Sequence, residues 1–113
     1  MTGAVHVTGG GIPGKLGRIL HESARGAILD NLFPPAESML FAQREGKVSD
    51  TEAYRAWNMG QGLLIVTPTP AIIQKCAERM GFCARIAGRI IDSPEITIVS
   101  RGAITPCKPL IFK

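Results

Sequence analysis

The feature that most constrains this chain is the run Ala4-Val5-His6-Val7-Thr8-Gly9-Gly10-Gly11-Ile12-Pro13-Gly14. A short β-branched stretch meets three consecutive glycines, and a proline then opens a helix. Glycines lack Cβ and let the backbone turn with positive φ, so successive N–H groups can converge on one point. Proline suits the first helical turn, where the amide it lacks would have no partner. Ile12, Leu16, Ile19 and Leu20 recur at i, i+4, i+7 and i+8 and give that helix one apolar face. Such a turn at a helix N-terminus favours negative charge, through free N–H groups and the helix dipole together. Read as structure alone, the same residues make a tight strand-to-helix turn with no ligand. No Gly-Lys-Ser/Thr follows at the spacing of a Walker A loop. The stretch is not read as a dinucleotide fingerprint either, which needs an acidic residue about 20 positions on, after a second strand.

With 113 residues the chain makes one domain, and 45% apolar residues with a mean hydropathy of +0.16 make it globular. No apolar run approaches the roughly 18 residues of a membrane span. No basic flank followed by an apolar stretch indicates secretion, so a cytoplasmic location is expected. The net charge is +4, but the thirteen Lys and Arg are scattered from Lys15 to Lys113. That scatter fits an anionic small molecule at least as well as nucleic acid, and 5% aromatics leave little for base stacking. Neither nucleic acid nor membrane is expected as a partner. Cys76, Cys83 and Cys107 are odd in number, form no C-x-x-C pair and are remote in sequence from His6 and His21. They are expected to be reduced, mostly buried thiols, with no metal site.

Beyond the first helix, Ala27–Asp30 reads as a short buried strand. Phe33-Pro34-Pro35 leads into a helix from about Pro35 to Glu45, with Ala36, Met39 and Leu40 inward and Gly46 beyond its end. Ser49-Asp50-Thr51-Glu52 is a capping box that starts a helix running to about Trp57, with Val48 and Ala53 placed as a hydrophobic staple. Leu63–Thr67 is an apolar run of strand length. Thr69 and Pro70 open a helix with the stripe Ile72, Ile73, Cys76, Ala77 and Met80, closed by Gly81. Cys83–Ile91 and Ile96–Ser100 read as strands joined through Asp92-Ser93-Pro94-Glu95. The order β-α-β-α-α-β-α-β-β predicts a three-layer α+β domain over residues 1–102. Its mixed, largely antiparallel sheet would hold about four strands: 27–30, 63–67, 83–91 and 96–100. Residues 103–113 read as an irregular tail, with an edge piece as the alternative for the segment after Arg101.

A second glycine-bearing break, Asn58-Met59-Gly60-Gln61-Gly62, mirrors the first. Asn58 suits the left-handed conformation at a helix end, and its amide both donates and accepts. As pure structure the segment is a helix stop and a turn.

His-Val-Thr-Gly-Gly-Gly-Ile-Pro-Gly (6–14), Arg-Ile-Leu (18–20), Gly-Ala-Ile-Leu-Asp (26–30) and Pro-Pro (34–35) are followed, in that order, by Gly-Lys-Val-Ser-Asp-Thr-Glu-Ala-Tyr-Arg-Ala-Trp-Asn-Met-Gly-Gln-Gly (46–62). Together they resemble the C-terminal domain of aminoimidazole ribonucleotide synthetase, the formylglycinamidine ribonucleotide cyclo-ligase of purine synthesis. That family reads H-[IV]-T-G-G-G, then P-R-V-L-P, then G-x-[VL]-[ST]-x-x-E-M-Y-R-T-F-N-x-G-x-G-[ML]. The resemblance covers about residues 4 to 100. Formylglycinamidine synthetase, selenophosphate synthetase, thiamine-phosphate kinase and the hydrogenase-maturation dehydratase share the fold, but the Y-R-x-[FW]-N-x-G-x-G segment points to the cyclo-ligase. Lys15 stands where the family usually has Asn, Gly17 where it has Pro, Ala53 where it has Met and Trp57 where it has Phe.

The resemblance implies a reaction in which ATP phosphorylates the formyl amide oxygen and the ring nitrogen then closes onto the activated carbon, expelling phosphate. It places the nucleotide and magnesium carboxylates, and most contacts of the family's homodimer, in an N-terminal domain outside this sequence. This chain would bind no cofactor itself. ATP and magnesium are implied for the full enzyme through that domain, on the same polypeptide or on a split subunit; Met1 directly before the domain fits a split gene or a shortened piece. The residues expected to face the anionic ribonucleotide are Thr8, Gly9, Gly10 and Gly11 from the first break and Asn58, Gly60 and Gly62 from the second. No catalytic residue is assigned beyond His6, a weak candidate for donation to phosphate or proton transfer, which equally reads as a strand histidine. Arg18 and Arg55 match family arginines and read as solvated or ion-paired. Asp30, Asp50 and Asp92 are isolated from one another, so the chain alone is expected to be inactive. The alternative is a stand-alone ligand-binding or regulatory module, or a divergent paralogue, without cyclo-ligase activity.

Overall fold

The structure is a computed structural model and describes residues 3–7 and 11–112, apart from the side chain of Glu22. The order along the chain is β1 (Gly3–His6), α1 (Gly11–Leu20), β2 (Gly26–Leu29), α2 (Glu37–Gly46), α3 (Asp50–Ala56), β3 (Leu63–Val66), α4 (Pro70–Arg79), β4 (Gly88–Ile91), β5 (Ile96–Val99) and β6 (Pro109–Phe112). A short 3₁₀ turn, His21–Ser23, follows α1. This is an α+β fold.

Its main sheet has four strands in the order β4-β2-β5-β6. β2 and β5 run parallel, with Ala27 opposite Ile96 and Leu29 opposite Ile98, while the other pairings are antiparallel. The sheet is mixed, as the element order predicts. The core lies where Ile12, Leu16 and Leu20 of α1 and Ala53 and Tyr54 of α3 meet Ala27, Leu29, Ile96, Ile98 and Phe112 of the sheet. The apolar stripe of α1 therefore does what its spacing requires, except that Ile19 is left partly exposed.

The capping box forms in one direction. Ser49 Oγ accepts the amide of Glu52 at 3.2 Å, whereas the Glu52 carboxylate turns to Arg55 at 3.3 Å. Arg55 is thus ion-paired, and its guanidinium also lies 5.6 Å from the centre of the Phe112 ring.

Asp50, the first residue of α3, is almost wholly buried. Its carboxylate accepts from Gln43 Nε2, from Ser100 Oγ, from the amides of Ile104 and Thr105 and from Thr105 Oγ1. Burial alone would raise its pKa; the hydrogen bonds from Ser100, Gln43, Ile104 and Thr105 outweigh that and hold it below the ordinary value. One carboxylate thereby ties α2, α3 and the segment after β5 together. Tyr54 adds a second fastening, its hydroxyl accepting the amide of Arg101 at 3.1 Å.

Several expectations need correcting. Leu63–Thr67 does not join the main sheet: β3 pairs antiparallel with β1 in a separate two-stranded ribbon. An unbroken apolar run shows that a strand is buried somewhere but not which strand it pairs with. The fourth strand of the main sheet is β6, so an edge strand forms within the segment after Arg101. The strand expected over 83–91 is formed only at Gly88–Ile91. Helix α2 extends through Gly46, and Lys47 takes the left-handed position after it (φ 52°). Of its expected inner residues, Met39 packs against the core, Leu40 is half-buried and Ala36 is exposed at the cap. The stripe of α4 meets no core: none of its residues is buried, and Ile72 and Met80 are 60% and 73% exposed. Cys76, Cys83 and Cys107 are free, as expected, but all three are exposed rather than buried.

The dinucleotide fingerprint is excluded by topology and not, as expected from the sequence, by a missing acidic residue. Gly9-x-Gly11-x-x-Gly14 is present and Asp30 follows β2, but β1 and β2 lie in different sheets. A βαβ dinucleotide unit needs them parallel in one sheet.

Candidate functional site

The residue just before the first glycine-bearing break meets the second break. The Val7 amide donates to the Gly62 carbonyl at 2.9 Å, which continues the β1–β3 register to the start of the first break. On the other side of that break, Gly11 begins α1 with φ +61° and lies directly against the end of α3. A Cβ there would stand 1.9 Å from the Tyr54 carbonyl oxygen and 3.0 Å from that of Trp57, so only glycine fits. The described residues on either side of 8–10 are thus fixed, Val7 by the second break and Gly11 by α3. Thr8, Gly9 and Gly10 lie outside the described residues.

The second break is a built turn. Asn58 Oδ1 accepts the Gly60 amide at 3.0 Å, and the left-handed position falls on Met59 (φ 51°) and Gly60 (φ 93°) rather than on Asn58. The side chain two residues back mimics a backbone turn here, as Asx motifs do. Gly60 also presses on the Pro34 carbonyl, which a Cβ would approach to 2.5 Å. The Pro34-Pro35 pair therefore belongs to the same locality as both breaks. Asn58, Gly60 and Gly62 are exposed. His6 is exposed on β1, opposite Leu63.

Gln61, which the sequence reading passed over, fixes this arrangement. Although it sits between two exposed glycines, its side chain is buried. Its Nε2 donates to the carbonyls of Phe33 and Met59, both at 2.7 Å, and its Oε1 accepts the Phe33 amide at 3.1 Å. The only signal for it in the sequence was a polar residue with high hydrogen-bonding capacity amid glycines. Two arginines were missed as well. Arg85 and Arg101 both donate to the Leu32 carbonyl, at 3.1 and 2.8 Å, and Arg85 stacks 4.4 Å from the centre of the Phe33 ring. Neither forms an ion pair among the described residues. They bring positive charge beside the second break from positions 24 and 40 residues further along the chain.

The carboxylates are dispersed. Asp30 lies 3.9 Å from Arg89 and Asp92 lies 4.0 Å from Arg25, while Asp50 is committed to its own network. Among the described residues no three His, Cys, Asp or Glu side chains are grouped to hold a metal ion. No helix of the described residues is long and apolar enough to cross a membrane. Among the described residues the locality offers the exposed turn at Asn58, Gly60 and Gly62 with Arg85 and Arg101 near it, a positive surface suited to an anion.

The fold is a mixed four-stranded sheet beside a two-stranded ribbon, and the ribbon's strands border the two glycine-bearing breaks. The chain belongs to the family described as AIR synthase related protein, C-terminal domain, which its residues 1–101 match. Among curated proteins it is similar to the phosphoribosylformylglycinamidine cyclo-ligase of Methanococcoides burtonii, 38% identical over 91 residues, and to that of Methanosarcina acetivorans, 37% identical over 91. Each match covers 80% of this chain and 25% of the relative. The cyclo-ligase of Agathobacter rectalis is 34% identical over 90 residues, 77% of this chain and 26% of the relative. The chain spans about a quarter of the length of the curated relatives it matches.

Proposed function

We propose that this chain is the substrate-facing C-terminal part of a phosphoribosylformylglycinamidine cyclo-ligase. The observation that carries the reading is that the residues flanking the first glycine-bearing break are fastened to the second break and to α3, Val7 on Gly62 and Gly11 against Tyr54. Backbone amides from residues 8–11 hold the anionic ribonucleotide, and the loop 58–62, whose Gly60 and Gln61 amides are already donated to Asn58, lines the site beside them. Arg85 adds charge from the neighbouring wall. ATP and magnesium, bound by the remaining part of the enzyme, supply phosphorylation of the amide oxygen. This chain's own work is to bind and orient the ribonucleotide so that its ring nitrogen faces the activated carbon. No residue is assigned to proton transfer, His6 included. The locality works in the cytoplasm, within a larger assembly that is a homodimer.

The test is calorimetry with formylglycinamidine ribonucleotide, paired with a coupled assay for ADP release. Measurable ribonucleotide binding with no ADP release by the chain alone is expected. Substrate-dependent ADP release by these 113 residues alone would overturn the division of labour, and absence of ribonucleotide binding would overturn the substrate-facing role.

A further inference from the structure

Besides an open apolar cleft between α4 and the segment 82–87, the molecule has a second concavity of different character. It measures roughly 520 Å³ and runs along α1 from Pro13 to Arg25, facing the turn between β4 and β5. Its floor is apolar and consists of Leu20, Ile96 and Phe112, all buried side chains. Its rim is cationic, with Arg18 from α1, His21 from the 3₁₀ turn and Arg25 from the residues before β2. No Asp or Glu lines it among the described residues.

The backbone explains why these cations gather. Arg18 and His21 are three residues apart, a spacing that places side chains on one helix face. Ala24 then takes the left-handed conformation (φ 54°) and donates to the His21 carbonyl at 3.2 Å, while the Arg25 amide donates to the Leu20 carbonyl at 3.4 Å. That closure of the helix end fixes Arg25 beside it. Cations near a helix C-terminus complement its partial charge of roughly −0.5, which one arginine already exceeds. Gly17 gives the cleft its depth: a Cβ there would meet nothing within 4 Å, so no packing need accounts for the missing side chain. One carboxylate stands near the rim, Asp92 at 4.0 Å from Arg25. Both side chains are largely exposed, and an ion pair of that kind yields readily to a better-held anion.

We infer that this cleft is a binding site for a small phosphomonoester carrying a flat apolar ring, distinct from the glycine locality. Guanidinium forks match phosphate oxygens two at a time, and the imidazole adds a further donor. The floor takes the ring, in the combination of apolar lining and few polar groups that small-molecule pockets share. Its size also falls in their range of roughly 300–1,000 Å³. Arg18 and His21 stand seven and ten positions beyond Gly11, about 10 and 15 Å along the axis at the rise of an α-helix. The cationic end of the cleft is therefore a separate place from the amides of residues 8–11. This inference goes beyond the cyclo-ligase reading and does not depend on it.

The experiment titrates phenyl phosphate into the chain and follows backbone amide shifts, with inorganic phosphate and phenol as separate arms. The amides of Gly17, Arg18, His21, Arg25, Ile96 and Phe112 should move along one curve. Phenyl phosphate should bind about tenfold tighter than either fragment, as burial of an aromatic ring beside a held phosphate allows. Arg18→Gln and Arg25→Gln should each weaken it about fivefold to tenfold, the loss expected for a charge-assisted hydrogen bond. Gly17→Leu should abolish binding by filling the cleft. Its melting temperature should not fall, because leucine favours the helix and its Cβ meets no neighbour. Lys75→Gln, which removes an exposed cation of α4 outside the cleft, should leave binding unchanged. Shifts confined to residues 8–11 and 58–62 would place the ligand in the glycine locality and overturn the proposal. Phenol or inorganic phosphate binding as tightly as phenyl phosphate would overturn it too, as would affinity unaltered by Arg18→Gln and Gly17→Leu. The cyclo-ligase reading is tested with the ribonucleotide, so the two fail separately.

Discussion

Helices α1 and α4 are each ten residues long, each opens near a proline and each carries an apolar stripe at helical spacing. In α1 the stripe is spent on the core: Ile12, Leu16 and Leu20 are buried against the main sheet and α3. In α4 the corresponding residues face solvent or the open cleft. The difference lies in their surroundings. Around α1, the Asp50 and Tyr54 hydrogen bonds fasten α3 and the segment after β5 onto the sheet and close the layer. Around β3 and α4 the described fastenings are the β1–β3 ladder and one side-chain bond, Gln74 Nε2 to the Ala84 carbonyl at 3.1 Å. Amphipathicity specifies that a face will be covered; it does not specify by what.

The largest break in this contrast should come from Asp50→Ala. It leaves the Gln43 amide, the Ser100 hydroxyl and the amides of Ile104 and Thr105 without their charged acceptor. Removing the partner of several buried donors costs on the order of 3–5 kcal/mol, measurable as a shift of the denaturant midpoint at unchanged slope. The α1–α4 comparison can be sharpened directly. Leu16→Ala should cost about 2–5 kcal/mol, as truncation of a buried leucine does. Ile72→Ala, at a 60% exposed position, should stay within about 0.5 kcal/mol. Equal costs at the two sites would mean that α4 is packed in solution and the contrast is wrong.

A smaller effect concerns acid. The Asp50 pKa is lower in the folded than in the unfolded state, so between those two values the unfolded chain binds more protons and stability rises with pH. The contribution is complete above the ordinary value of 3.8 and is lost as pH falls from there through the folded-state pKa. Denaturation curves recorded from pH 6 down to pH 2 should show that acid limb in the wild type and a flatter one in Asp50→Asn.

Much of this was legible in the sequence, for identifiable reasons. The Ser49–Glu52 cap, the Gly11 entry and the strands at Ala27 and Ile96 rest on local signals such as glycine placement, capping chemistry and β-branched runs. The family rests on the two breaks and their separation. What the sequence did not reveal depends on partners distant along the chain. Nothing local tells Leu63–Val66 to pair with β1, or Pro109–Phe112 to close the edge of the main sheet. Residue type alone predicts buried cysteines, but Cys76 lies on a helix whose stripe has no partner among the described residues. Gln61 and the two arginines on Leu32 were missed because their roles exist only once residues 32–34 fold between them.

Whether the two glycine-bearing breaks act as one anion site is tested most directly by a phosphate titration followed through backbone amide shifts. Anion held by a helix end and a few amides gains only about 0.3–2 kcal/mol, so half-saturation is expected only at roughly tens to hundreds of millimolar phosphate. The amides of residues 8–11 and 58–62 should then move together along one binding curve. Asn58→Ala, which removes the acceptor that shapes the second turn, should weaken the response of both segments several-fold. Shifts confined to one segment, or no shift at either, would contradict the account and leave the glycines as turns alone.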